Sequence, residues 1–319
     1  MSLETLLQHL LTQRNTKSLP PFIDSVEQWW SQLQTIMPQW SEPIDQAIAS
    51  GFSASCIGYA FVSGYQTALR RMLPTLPNDK VVSLCVTEEK GNHPKVLETS
   101  LTAVSGQWVL NGRKKWASLS NNSGLLLVAA VRGTLANGQN EIILVQVPIE
   151  TNGVTVHPMP PTPFVPEVTH GQIQLDDVIV PETAVLPHDG YTHYIKPFRT
   201  IEDTFVSAAV ASLLLRTAFA HDWDNQIIDK ILSIIAIFRT VGTANYHDPT
   251  IHILLEGALT ALGQLADPAA SHWENVPAPD LTRWQRDIPL LKIARTARTR
   301  RYERAWQLID VTGYNVQHD

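Results

Sequence analysis

The chain reads Val81-Val82-Ser83-Leu84-Cys85-Val86-Thr87-Glu88-Glu89-Lys90-Gly91-Asn92-His93-Pro94, continues through two alternating segments, Val96 to Val104 and Gln107 to Leu110, and reaches Asn111-Gly112-Arg113-Lys114-Lys115-Trp116-Ala117-Ser118. An apolar run is followed by a polar turn and then by alternation with period two. Bounded by Gly, Asn and Pro, this pattern predicts antiparallel strands. Asn111-Gly112 between two such runs predicts a tight hairpin at that point. A second apolar run, Leu125 to Val131, closes the stretch, so a β-sheet is expected in the middle of the chain.

Helical spacing dominates on the N-terminal side. Leu3, Leu6, Leu7, Leu10 and Leu11 predict a helix over Leu3 to Gln13. A second is expected from Ile23 to Met37, capped by Asp24 or Ser25 and stopped by Pro38. The third runs from Pro43 to Met72 with a break near Gly51-Phe52-Ser53, and Ala54, Gly58, Ala60 and Gly64 would permit close helix packing. Pro74 to Asp79 links these helices to the sheet.

On the C-terminal side Glu141 to Pro148 alternates as a further strand. Met159 to Pro166 is proline-rich, which suits either a rigid surface connection or a lip over a substrate site. Past Pro187 the pattern is helical, over Thr200 to Ala220, Ile227 to Val241, Pro249 to Leu265 and Pro289 to Ile309. Four helices with short polar connections predict an antiparallel bundle. Three domains are therefore expected: helices over 1–78, a β domain over 79–190 and a helical bundle over 191–319.

The totals narrow the function. With 44% apolar and 17% charged residues among 319, the chain has an ordinary globular composition. A formal charge of -6 argues against nucleic acid as the main partner, because phosphate binding needs a basic surface. Cys56 and Cys85 both sit in apolar segments without a C-x-x-C, which reads as buried thiols in a reducing compartment. The first residues lack a basic-then-apolar profile, and no apolar run approaches the ~20 residues of a membrane span, so no membrane partner and a cytoplasmic location are expected. His188 with His193 and His247 with His252 make no metal set.

The order strand, Thr87-Glu88, Gly-containing turn, hairpin, V-L-N-G-x-K-x-W-x-S over Val109 to Ser118 and then an apolar strand resembles the middle domain of acyl-CoA dehydrogenases. Gly153-Val154-Thr155-Val156 and Gln172 to Pro181 resemble that family's following strands. The resemblance implies an α+β fold with shortened N-terminal helices, a middle antiparallel β-barrel or sandwich and a C-terminal four-helix bundle. It also implies FAD, an acyl-CoA-like substrate, α,β-dehydrogenation and a homo-oligomer.

Carried over residue by residue, the resemblance makes the hydroxyls of Thr87 and Ser118 hydrogen-bond partners of the flavin ring. Trp116 packs against that ring, and Leu84 and Val86 supply neighbouring backbone. A flavin taking up hydride gains charge, which donors placed at the ring stabilise. The alternative is a strand-end Thr and Ser satisfying local backbone, with Trp116 as core.

Several positions depart from the family pattern. Where the family has T-E-P-x-x-G-S-D, its serine is replaced by His93, which is either a substrate or phosphate donor or a solvated turn residue. The R-x-x-F-G…Q segment that grips adenine is not found, and neither is the Y-E-G-T motif of the usual catalytic carboxylate. Ala305 to Tyr314 resembles A-x-Q-x-x-G-G-x-G-Y and makes Gln307 a cofactor contact. Some family members place the base on the first bundle helix, and the matching position here is Glu202. A carboxylate in a dry pocket is poised for proton abstraction. Alternatively, Glu202 and Asp203 are first-turn acids complementing the helix dipole. The basic run Lys292 to Arg304 reads as a salt-bridged face or as a contact for phosphates. A catalytically silent scaffold without flavin is the rival to the dehydrogenase reading.

Overall fold

In the computed structural model, which describes residues 1–312, the seven strands form one curled sheet. They are β1 (Val82–Cys85), β2 (Ser100–Val104), β3 (Gln107–Ser118), β4 (Leu125–Thr134), β5 (Asn140–Pro148), β6 (Val154–Pro158) and β7 (His170–Val180). The order is β1-β4-β2-β3-β7-β6, with β5 also on β4. The hairpins are antiparallel as expected, whereas β1 joins β4 in parallel, Val82 opposite Leu125 and Cys85 opposite Val128. Alternate residues from these strands, among them Leu101, Leu110, Ala117, Val128, Val145, Ile173 and Leu175, form a dry core. Cys85 lies in it, and burial pushes its thiol up to about 12, so it stays protonated and inert.

The turn predicted at Asn111-Gly112 lies elsewhere. Val104 pairs with Gln107, which leaves Ser105 and Gly106 as the two-residue loop. Both have positive φ, 51° and 80°, as a type I′ turn demands. Asn111-Gly112 instead forms a bulge inside β3, where the register against β7 shifts between Leu110 and Gly112. Asn111 exchanges hydrogen bonds with Asp177, donating from Nδ2 at 3.0 Å and accepting from the Asp177 N–H at 2.8 Å. Gly112 has a φ of 149° and lies so close to Thr99 that a Cβ there would sit 2.5 Å from its hydroxyl oxygen.

The chain divides into two compact units, one of them Met72–Thr162 with Pro166–Arg199, which carries the sheet. The other joins Met1–Arg71, the short piece Pro163–Val165 and the chain from Thr200 onward, so the helices of both ends share one unit. Its elements are α1 (Leu3–Thr12), α2 (Val26–Ile36), α3 (Pro43–Ser53), α4 (Ile57–Met72), α5 (Lys196–Ala220), α6 (Asn225–Thr243), α7 (Pro249–Leu265), α8 (Ala278–Asp287) and α9 (Arg295–Thr312). Ser2 and Ser25 cap α1 and α2 with hydroxyls that accept backbone N–H groups. The break in the third predicted helix falls at 54–56, just past Gly51-Phe52-Ser53.

Small residues permit close approach as expected. A Cβ on Gly51 would lie 2.3 Å from the Ala209 carbonyl oxygen, and one on Gly64 would lie 2.5 Å from Val206 Cα. Two expectations need correction. The stretch between α7 and α9 is no short connection, because it folds α8 around the buried Trp284. The proline-rich excursion is tied down at Val165, which is buried and donates its N–H to Asp287 Oδ1 at 2.7 Å. The continuous helical stretch Gly190–Ala220 is long and apolar enough by composition to cross a membrane, unlike anything expected from the sequence, but 94% of its apolar window is buried within the protein.

Candidate functional site

Thr87 follows the end of β1, where the chain leaves the sheet. The Lys115 N–H donates to the Thr87 carbonyl at 2.9 Å, and Ser83 Oγ donates to the Ser118 carbonyl at 2.8 Å. These two bonds bracket Trp116 and tie the exit of β1 to the end of β3. Thr87, Trp116 and Ser118 are thereby brought together, from positions some thirty residues apart in sequence.

Trp116 is not a core residue. It is 50% exposed and has a φ of 57°, a conformation costly for a bulky side chain. It occupies a second bulge, where the β3–β7 register shifts between Lys114 and Ala117. Bulges of this kind re-aim a side chain, and here the indole is turned out of the sheet. Thr87 and Ser118 are half-buried beside it. The Thr87 hydroxyl makes no hydrogen bond among the described residues.

One neighbour escaped the sequence reading. His170, which opens β7, has Nε2 3.3 Å from Ser118 Oγ, and its ring stands edge-on to Trp116 at 6.4 Å. Burial lowers its pKa and favours the neutral imidazole. The available signal was a lone histidine at the head of an alternating strand, which does not distinguish a site residue from a packed one.

Beneath the site lies a buried ion pair. Lys114 Nζ meets Glu88 Oε1 at 2.6 Å, and both side chains are almost fully enclosed. Glu88 also accepts the N–H groups of Glu98 at 2.7 Å and Thr99 at 3.1 Å, while Lys114 reaches the Val86 carbonyl at 3.4 Å. Burial pushes the Glu88 carboxyl up, but the Lys114 ammonium and these donors outweigh it and hold Glu88 below its usual range. Burial lowers Lys114 despite its partner. The Glu of the Thr87-Glu88 pair is therefore a clamp that fixes the turn, with Thr87 as its half-buried neighbour. Leu84 pairs with Leu127 inside β1, and Val86 contributes the carbonyl that Lys114 uses.

The remaining predicted residues lie apart from this cluster. His93 is exposed, and its Nδ1 accepts the Lys95 N–H at 3.2 Å. It lines a cavity of about 880 Å³ together with Arg132, Glu141, His188 and Tyr191, and Thr87, Trp116 and Ser118 are not part of that lining. Arg132 and Glu141 pair at 2.6 Å across the cavity wall. A π-helical turn, Gly190–Ile195, capped by Asp189, forms another side. Such turns recur at binding sites.

Glu202 is half-buried on α5 in the helical unit. Because α5 begins at Lys196, Glu202 and Asp203 fall in its second turn, and the first-turn dipole reading fails. Asp203 has a different role, binding Arg298 at 2.8 Å and Arg301 at 2.7 Å. Those two members of the basic run are thus salt-bridged, which favours the structural reading of that face. Gln307 is exposed on α9, and Gly313 and Tyr314 of the same segment lie outside the described residues.

The donor set suits the ring end of a flavin: two hydroxyls for ring oxygen and nitrogen, and a flat aromatic face re-aimed by a bulge. For the phosphate and adenine end no comparable donor set is assembled among the residues named for it, since His93 turns its Nδ1 to its own backbone and Gln307 stands on an exposed face.

Comparisons with known proteins bear on the fold. Residues 83–178 match the family described as acyl-CoA dehydrogenase, middle domain. No curated protein sequence matches. Among solved structures, glutaryl-CoA dehydrogenase from Mycobacterium smegmatis aligns over 100% of this chain and 97% of its own, at 12% identity and a TM-score of 0.67. The same organism's glutaryl-CoA dehydrogenase in complex with FADH2 aligns over 99% and 96%, at 13% identity and a TM-score of 0.64. Butyryl-CoA dehydrogenase from Megasphaera elsdenii aligns over 96% and 98%, at 13% identity and a TM-score of 0.65. Identities this low carry the fold and nothing finer. The fold shared with them has helices before and after a curled sheet. Residues 83–178 thus match the middle domain of acyl-CoA dehydrogenases, and the chain has the fold of that family's solved structures.

Proposed function

We propose that this protein is an FAD-dependent oxidoreductase that dehydrogenates an acyl thioester or a related acyl-CoA-like substrate. The observation that carries the reading is Trp116, held at positive φ on a bulge, half-exposed and edge-on to the His170 ring that Ser118 contacts. A strained aromatic presented outward beside two hydroxyls has no evident packing purpose. When bound, FAD supplies the two-electron acceptor for dehydrogenation. Trp116 would support the ring face, Thr87 and Ser118 would donate to its polar edge, and neutral His170 would fix the Ser118 hydroxyl. Glu202 is the proposed base for the α-proton, with the carboxylate half-buried in the helical unit. The cavity that His93 lines is the proposed substrate entry. Assembly as a homo-oligomer belongs to the same reading.

An absorption spectrum of the freshly isolated protein, before and after incubation with FAD, tests the cofactor. Flavin bands that persist through gel filtration are expected, and a colourless protein that takes up no FAD would overturn the claim. The Glu202→Gln variant is expected to keep flavin but lose turnover; unchanged turnover removes Glu202 from the mechanism. A second reading, a scaffold that keeps the fold without flavin, draws on the missing adenine-gripping segment. In that case thermal stability would not respond to FAD, because a ligand stabilises only what it binds.

A further inference from the structure

In the helical unit, α5 buries a guanidinium that has no acidic partner among the described residues. Arg216 is 7% exposed. Its Nη2 donates to the Ser18 carbonyl at 2.6 Å, and its carbon lies 5.4 Å from the centre of the Phe52 ring. Nε is buried without an acceptor. Among the described residues no carboxylate pairs with Arg216; Asp222, two residues past the end of the same helix, is engaged by Lys17. A charge removed from water is normally paired or hydrogen-bonded on every side. Arg216 has one hydrogen bond to the Ser18 carbonyl and no counter-ion among the described residues, so its position suits an anion from outside the chain.

The space for one is present. Arg216 lines a cavity of about 540 Å³ between the Ser18–Pro21 loop and helices α1, α2 and α3. Among the described residues it carries the only full charge on that lining, since burial lowers the pKa of His9 and favours its neutral form. Leu19, Pro20, Ile36 and Phe52 give the cavity apolar walls, and Gln13, Gln32, Thr35 and Ser53 add neutral hydrogen-bonding groups. One fixed positive charge balances a monoanion, whereas a phosphate dianion would leave surplus negative charge in a half-enclosed site. A guanidinium also matches the planar fork of a carboxylate.

We propose that this cavity binds a small organic carboxylate with a compact apolar body, anchored by Arg216. The proposal stands independently of the flavin reading, because every residue it uses lies in the helical unit. The test titrates the full chain with sodium hexanoate and with hexanamide at matched ionic strength, reading thermal stability and calorimetric heat. Hexanoate is expected to bind at least about tenfold more tightly than the amide, as a charge-assisted hydrogen bond requires. Arg216→Met should erase that difference. Thr35→Trp, an exposed substitution at the cavity wall, should block binding without touching the charge, and both variants should keep FAD uptake. Equal response to acid and amide, no response to hexanoate up to its solubility limit, binding that survives both variants, or displacement of hexanoate by inorganic phosphate would each overturn the proposal.

Discussion

Trp116 shows how one residue's backbone carries the site. Its φ of 57° and 50% exposure cost the fold about 1–3 kcal/mol in strain without core burial in return. Trp116→Gly should therefore leave thermal stability equal or higher while weakening FAD uptake, as read by melting and by flavin titration. A large loss of stability would mean that the indole is structural. Glu88 is the opposite case. Removing its charge leaves Lys114 enclosed without a partner, so Glu88→Gln should cost about 3–5 kcal/mol in chemical denaturation. The double variant with Lys114→Met should recover much of that loss, because no buried charge remains.

Asp203 does at the scale of elements what Glu88 does beneath the sheet. Two arginines of α9 converge on it, and Arg301 also reaches the Thr200 hydroxyl at 3.2 Å. Asp203→Asn should loosen α9 from α5, and limited proteolysis should cut within 293–312 sooner while α5 stays protected. Cleavage at the wild-type rate would show that apolar packing holds α9 instead. The elements themselves were largely legible, since α1, α2, α7, β4, β5 and β7 follow their apolar periodicity to within a few residues. Two were not. The polar, Pro-rich stretch that becomes α8 is helical because Trp284 is buried there, and Asn111-Gly112 became a bulge because pairing with Asp177 outweighs its local turn preference.

The two units should titrate together in the weakly acidic range. Burial lowers His9, His221 and His252 in the helical unit and His170 in the sheet unit, in His221 against the pull of Asp280. The unfolded chain therefore takes up protons below about pH 6.5 while the folded units resist, and stability falls as pH drops below that value. Glu88, lowered, adds a second loss as pH falls below about 4.3 towards its folded value. Melting curves between about pH 7.5 and about pH 5, the range in which imidazoles titrate, should shift steadily downward; a flat profile would contradict the burial of these imidazoles.

Local pattern determined the class of fold, and the family resemblance carried by the same stretch supplied the candidate trio. Periodicity, Pro and Ser caps, and the spacing Thr87, Trp116, Ser118 are properties of neighbours along the chain, and the sheet with helices on either side follows from them. Tertiary pairing decided the rest. Register against β7 turned Trp116 outward and brought His170 to Ser118, placed Glu88 on Lys114, and sent His93 to a separate cavity. Helix packing in the other unit left Arg216 enclosed, its Nε without an acceptor among the described residues. Burial and charge pairing depend on residues far apart in sequence, and only the folded chain sets which of them meet.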